Sequence, residues 1–328
     1  MPEGPEVKIM MGNVANLSLG QNLLSVEVIK DDFQKKTRGL DQLVLPKRVI
    51  GVETNGKIGY MLLEDGTAVC LTFGMTGNIR IEPTPEYLKR RGETEEQYMK
   101  HCKIRFQVQD TATGEKSQFY FHCMRNFAWV YYFTSAELGK KLATIGPSIL
   151  SDEPLEQKLL VARWRKYNHK TVCETLMEQK LISGIGNYIK AEILYRCGIY
   201  PLAKVKDLSD SHLWSLYLEA RQIAADAYAD GGASLYTYTG INGDRSNFKL
   251  KLQVYDRAVD PHGNKIDRLQ TPDKRTTHWV ESLQTIGTLA PTVKPTVKPT
   301  VIAPAKPPVK PIVKLRPKLK SVPQLPIS

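Results

Sequence analysis

Residues 176–201 read LMEQKLISGIGNYIKAEILYRCGIYP, and this stretch decides the fold. Two segments with helical periodicity, 171–181 and 187–196, flank Gly184-Ile185-Gly186. The glycines let the chain turn tightly between two helices, and Asn187 opens the second. Such a turn accounts for the glycines but not for the whole string. Free N–H groups at a helix start bind phosphate, and glycines let the backbone approach it closely. A hairpin-helix-hairpin element also places G-x-G before a helix, so more than one arrangement fits the string.

Outward from this stretch, helices are also predicted over 136–145, 155–165 and 210–229, the last stopped by Gly231-Gly232. Upstream of Phe133 the period changes. Short runs rich in β-branched and aromatic residues cover 24–29, 49–54, 59–63, 68–73, 78–82, 103–108, 118–122 and 128–133. Asn55-Gly56, Asp65-Gly66 and Thr113-Gly114 punctuate them, and many short strands joined by turns imply a sandwich or barrel. Residues 83–100 interrupt the strands as a charged, partly helical surface insertion. An amphipathic helix over 5–19 precedes them, with Val7, Met10, Met11, Val14 and Leu17 on one face and Gly20 as its stop. After the helices, 233–247 read as a mobile loop, and 249–256 and 275–280 as two strands around a polar connection. The expected architecture is α+β: an N-terminal helix and β-sandwich (1–134), a helical domain (135–232), the loop (233–247), a β-hairpin (248–287) and a disordered tail (288–328).

The chain has 328 residues and a net charge of +12, but the charge is uneven. Residues 288–328 hold seven Lys, one Arg and no acid, which is +8 of the total, together with ten of the twenty prolines. Proline at that density favours extended chain and cannot build a core. The tail reads equally as a solvated linker and as a non-specific polyanion contact. No apolar run approaches the ~18 residues of a membrane span, and no basic-then-apolar leader opens the chain. Five cysteines at irregular spacing (Cys70, Cys102, Cys123, Cys173, Cys197) fit a reducing compartment better than a disulfide framework. The chain is read as an intracellular monomer, in nucleus or cytoplasm, with no membrane partner. His101-Cys102 and His122-Cys123 invite a zinc reading, but strand neighbours point to opposite faces; core packing is expected there, and no metal.

The first six residues are Met-Pro-Glu-Gly-Pro-Glu. Removal of Met1 before the small Pro2 would leave a secondary amine titrating near 8, partly neutral and nucleophilic at neutral pH. Attack by such an amine on a sugar C1′ gives a permanently charged iminium. That electron sink eases loss of a C2′ proton and elimination of the 3′ phosphate. Glu3 and Glu6 are at hand for proton transfer. As plain structure, the same residues would suit the first turn of a helix.

The PEGPE start and the G-I-G-N string together resemble the formamidopyrimidine-DNA glycosylase/endonuclease VIII family, over most of residues 2–285. The resemblance implies that Pro2 is the Schiff-base nucleophile and Glu3 the general acid that assists sugar opening, with Glu6 a structural and proton-handling accessory. It further implies a catalytic role for Lys57 in the Asn55-Gly56-Lys57 turn, a phosphate-binding Asn187 in a helix–two-turn–helix domain, and a fingertip Arg275. An enzyme that flips a nucleotide must plug the gap, for which apolar wedges and arginine are suited. Met75 and the Arg125-Asn126-Phe127 triplet resemble the family's void-filling loops. The family's Asp before that triplet is absent, since the chain reads His122-Cys123-Met124. Residues 251–284 contain no Cys, and His262 and His278 are too few for a structural zinc. This resembles the zincless finger of endonuclease VIII-like proteins.

The implied activity is a bifunctional DNA glycosylase/AP lyase of base excision repair, acting on oxidised bases, mainly pyrimidines, in double- or single-stranded damaged DNA. It would cleave the strand by β,δ-elimination without any cofactor. The alternatives are a non-catalytic DNA-binding protein that keeps the fold and an enzyme that is chiefly an AP lyase.

Overall fold

The computed structural model describes residues 2–233 and 251–287; the expected mobile loop beyond Ala233 and the tail lie outside the described residues. Helix α1 (Gly4–Ser18) opens the chain with Pro5 in its first turn, where a missing N–H costs nothing. Nine strands follow: β1 (Asn22–Val28), β2 (Thr37–Arg38), β3 (Lys47–Asn55), β4 (Ile58–Leu63), β5 (Ala68–Thr72), β6 (Gly77–Ile81), β7 (Cys102–Gln109), β8 (Lys116–Cys123) and β9 (Trp129–Phe133). Their order is β2-β9-β5-β4-β3-β1-β7-β8-β6, antiparallel except for β2 beside β9. Strand β1 is the hinge. Only Asn22 and Leu23 reach β3, whereas β1 pairs with β7 from Asn22 to Val28, with a register shift after Leu23. The sheet thereby folds over on itself as a sandwich. Leu23, Phe106 and Phe121 from one half meet Met61, Leu71 and Val130 from the other, and Met10 and Val14 of α1 join the same core.

The insertion carries two short helices, α2 (Pro85–Arg91) and α3 (Glu95–Met99), each capped by a threonine hydroxyl. Helix α4 (Ser135–Ala143) covers the outer face of the sheet through Leu138, against Tyr60, Ala68 and Cys70. A second core is built by α5 (Gln157–Arg165), α6 (Val172–Met177), α7 (Asn187–Arg196) and α8 (Asp210–Ala229), with Trp164, Ile189, Ile193, Leu216 and Ile223 fully buried. Helix α6 ends four residues earlier than its periodicity predicts. Glu178 is extended, and 178–186 form the two turns that lead into α7.

The finger departs from expectation. Residues 249–256 are not a strand within the described part; the hairpin is β10 (Asp267–Thr271) against β11 (Arg275–Trp279). The reason is a carboxylate. Glu192 of α7, 1% exposed, accepts hydrogen bonds from the amides of Gln253, Val254 and Tyr255 at 2.8–2.9 Å. These N–H groups are therefore satisfied by a side chain and need no strand partner. Val254 meanwhile fills a small core with Ala191, Ile266 and Val280. Asp260 organises the next turn, accepting from the amides of His262 and Asn264 and from the Tyr195 hydroxyl.

The Glu192 bonds join the finger to the helices, and their loss is costly because one buried and two partly buried donors lose one acceptor. Glu192→Ala should lower the unfolding free energy by about 3 kcal/mol and release the amides of 253–255 to fast hydrogen exchange, while α8 stays protected. Protection of those amides at the wild-type level would contradict this.

Candidate active site

The chain's second residue is buried, and so are the two carboxylates that follow it. Glu3 is 2% exposed and Glu6 3%. Their first role is to close the interface between sandwich and helices. Glu3 reaches to the start of α7, where Oε2 accepts from the Gly186 amide at 2.7 Å and Oε1 from the Tyr188 amide at 2.9 Å. The Ile189 amide adds a longer bond of 3.3 Å to Oε2. This corrects the expectation that the free amides of this helix start bind a phosphate: a carboxylate of the protein occupies them. The helix dipole favours a negative group at that point in either case.

The glycines are explained by the same packing. A Cβ on Gly186 would lie 2.2 Å from the Glu3 carboxyl carbon. Gly56, at φ +60°, turns β3 into β4, and a Cβ there would meet the Ser183 side chain at 2.4 Å. The Ser183 hydroxyl lies 3.1 Å from Asn55 Oδ1, and Gly4 donates its amide to the Gly184 carbonyl at 2.9 Å. The hairpin that carries Lys57 is thus clamped against the two turns between α6 and α7.

Glu6 sits one turn along α1. It accepts from the Glu3 amide at 2.7 Å, from the Tyr188 hydroxyl at 3.1 Å and from the Ala233 amide at 2.7 Å. Burial raises its pKa against these three bonds. Glu3 is pushed up to about 7, chiefly by burial; Glu6 adds to the rise, while Lys57 and the Tyr188 amide oppose it. Half-buried Lys57 has Glu3, Glu6 and Arg275 as charged neighbours, and burial draws its ammonium below the usual lysine range. Lys57 therefore feels the charges of Glu3 and Arg275, although the three come from the N-terminus, a sandwich turn and the fingertip. A carboxyl poised near neutrality beside a depressed lysine is suited to proton transfer.

Asn187 Nδ2 donates to the Thr276 carbonyl at 3.0 Å, so this residue ties the helix start to the fingertip strand. Met75, Arg125 and Phe127 lie on two adjacent loops. Arg125 donates its amide to the Thr76 hydroxyl at 3.1 Å, and Arg125 and Phe127 are exposed. Asn126 between them is left-handed at φ 50°, and its Nδ2 bonds Asp32 Oδ2 at 3.0 Å. A carboxylate absent from the local sequence thus arrives from elsewhere in the chain. His101 and His122 meet edge to face at 5.8 Å, and Cys102 and Cys123 are buried. Among the described residues no three His, Cys, Asp or Glu side chains gather as a metal site.

Sequence reading missed Tyr188, Ser183, Asp32 and the buried pair of Lys190 with Asp273. Tyr188 stands beside Asn187 in the quoted string and was within reach of inspection. The others carry no local signal, because their partners lie 83 or more residues away.

The family model for the formamidopyrimidine-DNA glycosylase N-terminal domain matches residues 1–130, and that for the formamidopyrimidine-DNA glycosylase H2TH domain matches residues 145–239. The formamidopyrimidine-DNA glycosylase of Shewanella denitrificans is 28% identical over 260 residues, 79% of this chain and 89% of that protein. The Thermus thermophilus protein of the same name is 27% identical over 297 residues, 88% of this chain and 100% of its own length. The crystal structure of the MutM (Fpg) protein from Thermus thermophilus superposes with a TM-score of 0.72 at 25% identity, covering 88% of this chain and 100% of that one. A Lactococcus lactis formamidopyrimidine-DNA glycosylase, non-covalently bound to DNA containing an AP site, shares the fold with a TM-score of 0.70 at 23% identity, over 86% and 99% of the two chains. Both halves of the molecule, the sandwich that carries Pro2 and the helices that receive Glu3, match domains of one kind, and the chain belongs to the formamidopyrimidine-DNA glycosylase/endonuclease VIII family.

Proposed function

We propose that this protein is a base-excision-repair DNA glycosylase with AP lyase activity, of the endonuclease VIII type, that removes oxidised bases, mainly pyrimidines. One observation carries the reading. The residue next to Pro2 is a buried carboxyl raised to about 7, within reach of the Lys57 charge. A protein that only bound DNA would have no use for a desolvated acid beside a chain-terminal amine. The relatives named formamidopyrimidine-DNA glycosylase support the glycosylase class. The Gly4-Pro5 run and the cysteine-free finger support the endonuclease VIII branch.

With Met1 removed, the Pro2 nitrogen attacks C1′ of the damaged nucleotide, the C1′–N bond to the base breaks, and the base leaves with the proton that the Pro2 nitrogen gives up. Protonated Glu3 gives its proton to the sugar ring oxygen as the ring opens, leaving an iminium between Pro2 and C1′. A base then takes a C2′ proton and the electron pair expels the 3′ phosphate; a second elimination releases the 5′ phosphate. Lys57 and Arg275 hold the phosphates beside the reacting sugar, and Asn187 holds the backbone. Glu6, with all its bonds to the protein, keeps Glu3 and Tyr188 in place. Met75, Arg125 and Phe127 fill the gap left by the flipped nucleotide. The sequence of steps calls for no cofactor and acts on one molecule of damaged DNA through one chain.

Borohydride should trap a covalent complex with abasic-site DNA, and Pro2→Thr should abolish it. Bound DNA without any adduct from the wild type would leave a non-catalytic DNA-binding protein. An adduct on abasic DNA with no release from a panel of lesion-bearing oligonucleotides would leave an AP lyase.

Glu3 gives a signature in pH. Its carboxyl is protonated below about 7 and loses the proton above it, so base removal should decline along an alkaline limb with that midpoint. Glu3→Gln should lose the limb and slow base removal by about 10²-fold, yet still form adducts at preformed abasic sites. A limb unchanged in Glu3→Gln would assign it to another group.

Arg125→Ala/Phe127→Ala should slow base removal from duplex DNA by about tenfold, the lower part of the roughly 1–3 kcal/mol that stacking supplies per base. Single-stranded DNA has no gap to fill and should be processed at the wild-type rate. Equal losses on both substrates would remove these residues from the void-filling role.

A further inference from the structure

Beneath the fingertip lies an ion pair that the chemistry above does not use. Lys190 Nζ is 2.5 Å from Asp273 Oδ2, and the two side chains are 0% and 4% exposed. Taking two charges out of water opposes folding, and apolar residues of similar volume often hold a core as well or better. Stability alone therefore gives no reason for the pair; its position does. Asp273 lies in the turn between β10 and β11, two residues before Arg275. The hydroxyl of Thr271 sits within hydrogen-bonding distance of Asp273 Oδ1, of the Arg275 carbonyl and of the Thr277 hydroxyl. Lys190 stands on α7 one turn after Asn187, whose Nδ2 bonds the Thr276 carbonyl. Helix α7 thus holds the fingertip strand on both sides of Arg275, through the carboxylate at 273 and the carbonyl at 276.

The group so held is a cation whose charge reaches Lys57, where it adds to the depression that burial causes. Two cations fixed side by side raise each other's energy unless an anion comes between them, and a DNA phosphate is that anion. A fixed fork is needed for this, because a guanidinium free to swing away would relieve the repulsion and lose the ligand.

We propose that Lys190 and Asp273 are positioning residues that hold Arg275 beside Lys57 for a DNA phosphate. This rests on the DNA reading of the same site. In a finger without cysteines, the pair fixes the hairpin tip to the helix from which Asn187 also reaches.

The test is the salt dependence of binding by the full chain to a duplex with a stable abasic-site analogue. Each cationic contact with a phosphate adds about −0.9 to the slope of log K against log salt. Arg275→Ala should flatten the slope by about one and weaken binding at fixed salt. The apolar variant Lys190→Met/Asp273→Leu should do the same, and combining it with Arg275→Ala should flatten the slope no further. A merely structural pair would change stability and leave the slope alone. An apolar variant that binds with the wild-type slope, or whose loss adds to that of Arg275→Ala, overturns the proposal. Where that variant fails to fold, Asp273→Asn replaces it. A constant inactive fraction shifts every K equally and leaves the slope intact, so the same two outcomes decide. Wild-type protein that binds no DNA overturns this inference and the enzyme reading together. Binding with the expected slopes but no borohydride adduct strikes the chemistry and upholds the positioning.

Discussion

The contact between the Glu3 carboxylate and the amides that open α7 is the constraint on which the rest of the structure depends. It joins the second residue after the chain start to a helix more than 180 residues later. A helix start leaves several N–H groups without partners, and burying them unmet is expensive. Glu3 satisfies them and in exchange is held next to Pro2, out of water. Gly186 has no side chain because the carboxyl fills its space, and Gly4, Gly56 and Gly184 meet around the same point. Pro2 is thus held where the two cores meet.

That placement sets the electrostatics. Burial lifts Glu3 to about 7 and depresses Lys57, and the attraction between them works against both shifts. The three amide bonds would by themselves favour the anion, yet desolvation is the larger effect. A carboxyl near neutrality can both give and take a proton in the working range, which an exposed glutamate cannot. The amides of Gly186, Tyr188 and Ile189 leave the Glu3 carboxyl little freedom to turn away, while Glu6, itself held by Tyr188 and Ala233, accepts from the Glu3 amide.

The finger uses carboxylates again, now for architecture. Glu192 collects three amides, Asp260 shapes a turn, and Asp273 pairs with Lys190. Each carboxylate gathers donors from segments that are distant along the chain, the cross-linking task that a tetrahedral metal site would otherwise perform. The run at 249–256 shows why alternation misled. Its apolar positions do point inward, with Leu252 and Val254 buried. Its amides, however, serve Glu192, and periodicity reports on side chains rather than on where backbone donors go.

By itself the sequence determined the pairing of a β-sandwich with a helical domain and the helix start at Asn187, and it singled out Pro2, Glu3, Lys57 and Arg275 as candidates. The fold features follow from residue type and short spacing, such as the turn glycines and the apolar period. Helices 187–196 and 210–229 match α7 and α8 for the same reason. Only the tertiary structure decided who occupies the α7 amides, that Asp32 rather than a local residue braces Asn126, and that Lys190 lies wholly buried against Asp273. Hydrogen bonds and ion pairs between distant segments depend on which surfaces the cores bring together, and no local pattern of residues encodes that meeting.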